Sequence, residues 1–250
     1  HPRVRRQRQM CIRDRSTMHR LITDWTIGAE STIDDLLSQR KLIPTGIEAL
    51  DAALKGGLPA GKVIEIYPQR NGRGEVGMLL GALRSFRRVC WVLNCAETMI
   101  PNQQGLEAAG LDLSRQLFLA PSSPREALWC VEQAAAGEEC DAIVAWLPAL
   151  GSKEDFHAMA RVKLAASRGN VTLFLIRPFV MSGVSSPAFM RIQLFVEPNP
   201  AEVRARIVTD NYIWSSPAQA VFPLNFERVM TTESKELRHD FAKPVYLKAA

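Results

Sequence analysis

The chain has 250 residues, 47% hydrophobic and 23% charged. These are the proportions of a folded protein with a real core, and they exclude wholesale disorder. No apolar run approaches the roughly 18 residues of a membrane-spanning helix. The formal charge of +5, taken alone, points to a nucleic-acid or anionic-membrane partner.

The position of the charge weakens that inference. Residues 1–17 (HPRVRRQRQMCIRDRST) carry six Arg and one Asp, which is +5 by themselves and leaves 25 basic and 25 acidic residues in 18–250. Three readings of this segment stand side by side: a basic arm for nucleic acid, an Arg-rich, acid-poor transit peptide, or a non-native extension with Met18 as the start. The string RQRQMCIRDR resembles a translated sequencing adapter, which favours the third.

Ser31-Thr32-Ile33-Asp34 has the form of a helix start. Ile33, Leu36 and Leu37 then share one helical face, a candidate contact surface for a partner. Residues 62–67 (KVIEIY), flanked by Gly61 and Pro68, are the first core strand. Helix-compatible apolar residues follow over 77–86. Further strands are expected at 90–94, 116–119, 141–146 and 171–176. Between them lie a short helix over 102–109 stopped by Gly110, and a helix from Ser123 (N-cap) and Pro124 to about Ala136, with no strict capping box. An amphipathic helix over 153–167 ends before Gly169. Residues 191–196 and 202–208 read as a hairpin, and periodicity fades from Thr209.

Strands alternating with helices predict an α/β fold with a mostly parallel sheet flanked by helices, whose ligands bind beyond the carboxyl ends of the strands. The expected division is a leading segment over 18–42, a core over 43–208 and a loosely ordered tail over 209–250. Five cysteines in odd number and without zinc spacing predict buried free thiols in a reducing cytosol, with no metal site. No G-x-S-x-G elbow is present, and aromatic residues do not interleave with basic ones as in a single-strand DNA platform. Trp129, with Val131, and Trp146 are expected in the core.

Residues 43–67 (IPTGIEALDAALKGGLPAGKVIEIY) resemble the entry to the RecA-type recombinase core. They contain Pro44-Thr45-Gly46, Leu50-Asp51, Gly56-Gly57-Leu58-Pro59 and Gly61. In RecA-like ATPases the next residues form the phosphate loop G-x-x-x-x-G-K-[ST], whose backbone N–H groups, Lys and hydroxyl hold the phosphates and Mg²⁺. Here the run is Pro68-Gln69-Arg70-Asn71-Gly72-Arg73-Gly74-Glu75-Val76-Gly77, with no Lys-Ser or Lys-Thr. Glu75 falls near the position of the metal-binding hydroxyl, where its charge opposes phosphate. Gly72, Arg73, Gly74 and Gly77 form a degenerate remnant. The strand over 141–146 ends in Trp146-Leu147-Pro148 instead of an acid, and Asp141 is at its wrong end. Glu97, after the second strand, corresponds to the water-activating carboxylate and is vestigial.

Within RecA-like proteins the chain resembles the ImuA-type translesion-synthesis accessory proteins, related to the SulA-type cell-division inhibitors. The more specific pieces are Pro124-Arg125-Glu126-Ala127-Leu128-Trp129 and Ala145-Trp146-Leu147-Pro148. The resemblance implies a non-enzymatic, cofactor-free, cytoplasmic role in the DNA-damage (SOS) response. The implied partners are a Y-family polymerase-like protein, an error-prone replicative-type polymerase and RecA, with direct DNA contact left open. Two alternatives stand: a SulA-type inhibitor of the tubulin-like division protein, and an active ATPase with Arg73 in place of Lys. Guanidinium is a poor substitute for a compact ammonium at a tight phosphate site.

Overall fold

A computed structural model describes residues 41–93, 100–137, 139–199, 202–210, 219–223 and 246–247. The leading-helix candidates Ile33, Leu36 and Leu37, the extension over 1–17 and Glu97 lie outside these residues. The chain divides into His1–Lys41 and Leu42–Ala250, and the second unit is described below.

Its entry is a small antiparallel pair, β1 (Leu42–Ile43) with β2 (Leu58–Pro59), enclosing helix α1 (Glu48–Ala53). The Pro-Thr-Gly motif has a structural role. One carboxylate oxygen of Asp51 accepts the Thr45 N–H (2.8 Å) and hydroxyl (2.7 Å), and the other accepts the Gly46 N–H (3.1 Å). This ties the turn to the helix that follows it.

The main sheet contains β3 (Val63–Pro68), β4 (Val89–Val92), β5 (Gln116–Leu119), β6 (Ala142–Trp146), β7 (Thr172–Ile176), β8 (Met190–Val196), β9 (Glu202–Asp210), β10 (Gln219–Pro223) and β11 (Tyr246–Leu247). The spatial order is β10-β9-β8-β3-β7-β6-β4-β5-β11. Strands β3 to β8 are parallel, β11 adds in parallel to β5, and β9 and β10 run antiparallel at the other edge. The expected α/β architecture is therefore observed. A parallel sheet covered on both faces needs apolar residues on both, which explains the continuous runs in β6 and β7. Ile64, Ile66, Trp91 and Phe174 belong to one core layer. Val63, Cys90, Ile143 and Leu173 belong to the other, under α4 (Pro124–Ala136) and α5 (Ser152–Gly169).

Several local expectations change. The helix expected over 77–86 is a 3₁₀ turn (Gly77–Leu79) followed by one short helix, α2 (Leu80–Leu83). Its end tightens through i→i+3 bonds from Ser85 and Phe86. Gly81 is required there, because a Cβ would fall 1.8 Å from the Thr45 carbonyl oxygen. A second short helix, α3 (Gln103–Ala108), starts at Asn102, whose side chain accepts the Gln104 N–H. Helix α4 does carry capping-box chemistry. Ser123 Oγ accepts the Glu126 N–H (3.2 Å), and Glu126 returns to the N–H of Ser122 (2.5 Å) rather than of Ser123. Glu126 is the third helical residue after the cap, the spacing that such a box needs.

Helix α5 runs through Gly169 and stops at Asn170, in the left-handed conformation with φ 51°. A Cβ at Gly169 would lie 2.0 Å from the Ala135 carbonyl oxygen, so a glycine inside the helix lets α5 approach α4. Trp129 does not pack in the core: it is 55% exposed, while Leu128, Cys130 and Val131 are buried. Residues two apart on a helix point to opposite sides, so Trp129 cannot share the face of Val131. Past Val208 the sheet continues, with β10 burying Ala220 and Phe222 against β9. No helix among the described residues is long and apolar enough to cross a membrane.

Candidate functional site

The site that the fold offers is the crevice at the carboxyl ends of the central strands, where connections leave in opposite directions. Strand β3 leads into it. Its pairing with β8 continues past Pro68, since the Gln69 N–H donates to the Leu194 carbonyl (2.8 Å). The chain then turns through Gly72 (φ 73°) and Gly74 (φ 102°) into the 3₁₀ turn at Gly77. A turn of this kind directs successive N–H groups to one point and makes an anion cradle.

Here the anion is supplied by the chain itself. Glu75 Oε1 accepts the Gly72 N–H at 2.6 Å, and Oε2 accepts the Arg73 N–H at 2.8 Å. Glu75 is 1% exposed. The remnant residues Gly72, Arg73, Gly74 and Gly77 lie along this loop, and the N–H groups of Gly72 and Arg73 close on its own carboxylate. Glu75 therefore acts within the loop as the acceptor that holds two of its N–H groups.

Strand β6, where a metal-ordering acid is expected at the carboxyl end, is separated from β3 by β7 and ends in Trp146. The Trp146 ring stacks near Trp91 (centroids 6.3 Å apart), which stacks on Phe118 (5.9 Å). Asp141, at the opposite end, accepts the N–H groups of Arg87 (2.9 Å) and Arg88 (3.0 Å) and clamps the start of β6 to that of β4. A cavity of about 610 Å³ opens beside the loop, lined by Gly72, Glu75, Ile100, Leu106 and Trp146 among others. Glu75 is the one ionisable residue among its described lining residues. Among the described residues no group of three or more His, Cys, Asp or Glu could hold a metal ion.

A second polar cluster lies under α5. Arg177 Nη1 donates to Glu65 Oε1 (3.2 Å) and Asp155 Oδ2 (3.2 Å), and Nη2 reaches Asp155 Oδ1. The Tyr67 hydroxyl donates to Glu65 Oε2 (2.6 Å) and accepts from Arg191 Nε (3.1 Å) and Nη2 (3.0 Å). Burial and the Glu65 carboxylate push the Tyr67 hydroxyl well above its usual range. Two cations and two anions balance inside the protein, as buried charges require. The available signal was an acid in the middle of KVIEIY and an Arg directly after an apolar strand.

No protein-family model matches the chain. It is similar to RecA proteins: 31% identical over 104 residues to that of Gloeothece citriformis (41% of this chain, 29% of the relative). It is 30% identical over 120 residues to that of a Nostoc species (47% and 33%) and 32% over 122 residues to that of Nostoc punctiforme (47% and 33%). The chain spans about a third of the length of these curated relatives. The similarity supports a place in the RecA-like superfamily, in agreement with the mostly parallel sheet and the position of its loop.

Proposed function

We propose that the chain is a non-catalytic accessory protein of SOS-induced translesion DNA synthesis, of the ImuA type, using a RecA-like sheet as a docking scaffold. Its partners are a Y-family polymerase-like protein, an error-prone replicative-type polymerase and RecA. The observation that carries the reading is the Glu75 carboxylate bonded to the Gly72 and Arg73 N–H groups. Phosphoryl transfer depends on positioning phosphates and Mg²⁺ against donors and acids. In this loop the donors are taken by an anion that cannot leave, and the strand-end acid position holds an indole. The similarity to RecA supports the superfamily, and the PREALW and AWLP segments support the finer assignment.

Two measurements test it. In calorimetric titration with ATP and Mg²⁺, no heat of binding is expected at micromolar nucleotide, and Mg²⁺-dependent micromolar binding overturns the scaffold reading in favour of an ATPase. In co-purification, the full chain is expected to retain the Y-family-like partner and RecA without nucleotide. Failure to retain either one refutes the partner assignment.

A further inference from the structure

The cavity beside the glycine loop combines apolar walls with a single sign of charge. Its volume of about 610 Å³ is in the range of small-molecule sites. Leu80, Leu106 and Trp146 line it, and Gly105 of α3 adds no side chain to it. Ile100, half exposed, marks a side that is open to solvent. Glu75 is the one ionisable residue among the described lining residues. Its carboxylate is held by the N–H groups of Gly72 and Arg73, which are neutral and leave its negative charge in place. Glu75 is 1% exposed, so solvent and salt screen that charge far less than a surface carboxylate. Its field acts across an apolar space, where a charge attracts its opposite more strongly than in water.

We propose that this cavity binds a hydrophobic monocation, a compact aromatic amine in its ammonium form. The hydrocarbon body of such a ligand displaces water from the walls at Leu80, Leu106 and Trp146, which any apolar molecule of that shape also achieves. The ammonium adds attraction to the Glu75 carboxylate, and the Trp146 indole gives the cavity an aromatic wall, a surface that also attracts cations. An uncharged molecule with the same body gains the apolar contact alone. An anion with that body is repelled by Glu75, so a polyanionic nucleotide is the opposite class of ligand. The inference rests on the scaffold reading only in taking Glu75 as the loop's own acceptor. It does not depend on which proteins dock to the chain.

The test uses three probes with one naphthalene body and different charge: 2-naphthylmethylamine, 2-naphthylmethanol and 2-naphthoate. Each is measured by equilibrium dialysis against the full chain at neutral pH and low salt. The amine is expected to bind roughly tenfold or more tighter than the alcohol, and the naphthoate weakest of the three. In Glu75→Gln the amine is expected to fall to the level of the alcohol. Gly105→Leu fills the cavity from α3, where the nearest atoms to an added Cβ are those of Asn102, at 3.7 Å or more. It is expected to weaken the amine and the alcohol together. Equal binding of amine and alcohol, tighter binding of naphthoate, or an amine preference that survives in Glu75→Gln overturns the proposal. The order of the three probes on the unsubstituted chain decides the matter even if a variant does not fold. Mg²⁺-ATP added to the amine complex separates the two readings. Displacement of the amine overturns both, whereas absence of charge preference with no ATP binding overturns the amine site alone.

Discussion

Replacing Glu75 with Ala removes both acceptors from the glycine loop. Each lost bond joins a carboxylate to a backbone N–H, at 2.6 and 2.8 Å, and a hydrogen bond to a charged group contributes about 1.5–3 kcal/mol. The loop donors are only partly buried, so water replaces part of that, and a loss of about 2–4 kcal/mol is expected. For a chain of this size that lowers Tm by about 5–15 °C. Glu75→Gln keeps one acceptor and turns an N–H₂ toward the other N–H donor, so about half the loss is expected. Urea unfolding of the three proteins, with unchanged m, reads the difference. A loss below about 0.5 kcal/mol for Glu75→Ala, the ordinary range for a surface change, would refute the view that this carboxylate holds the loop.

Arg177→Met strands Glu65 and Asp155 without their shared cation and is expected to cost about 3–5 kcal/mol, measured by the same unfolding. Gly81→Ala drives a Cβ into the Thr45 carbonyl, and a loss of about 3 kcal/mol or failure to accumulate folded protein is expected. Trp129→Ser, at a half-exposed position, is expected to change stability by less than about 1 kcal/mol, and a larger loss in thermal unfolding would place its ring in the core after all. The Tyr67 hydroxyl stays protonated in the folded chain well above its ordinary 10.0. Its contribution is full below pH 10 and falls as pH rises, because the unfolded chain releases the proton first. The stability gap between the natural chain and Tyr67→Phe is therefore expected to shrink as pH rises from about 10 to about 12, and a gap that widens would refute the assignment.

Much of the site was legible because its chemistry is local. The glycines at 72, 74 and 77 and the missing Lys-Ser pair can be read directly, and so can the apolar end of the strand at Trp146. What Glu75 does was not legible, since a carboxylate near a phosphate loop can equally point away into water. Only the turn at Gly72, which folds the loop back by three residues, brings the N–H groups and the acid together. The Asp51 clamp on Thr45 and Gly46 was hidden in the same way, although every residue of that motif was noted.

For this protein the sequence by itself determined the alternation of strands and helices, and with it a parallel sheet covered on both faces. Apolar runs and caps act within a few residues, so they are readable in one dimension. Only the tertiary structure decided which charges are buried and which aromatic is exposed. It joined Glu65, Asp155 and Arg191 from three separate elements to Arg177 in the connection after β7 and left Trp129 outside by helical phase. It also extended the sheet past Val208. These outcomes depend on strand order and helix rotation, and pairing energies between residues far apart in the chain leave no mark at either residue alone.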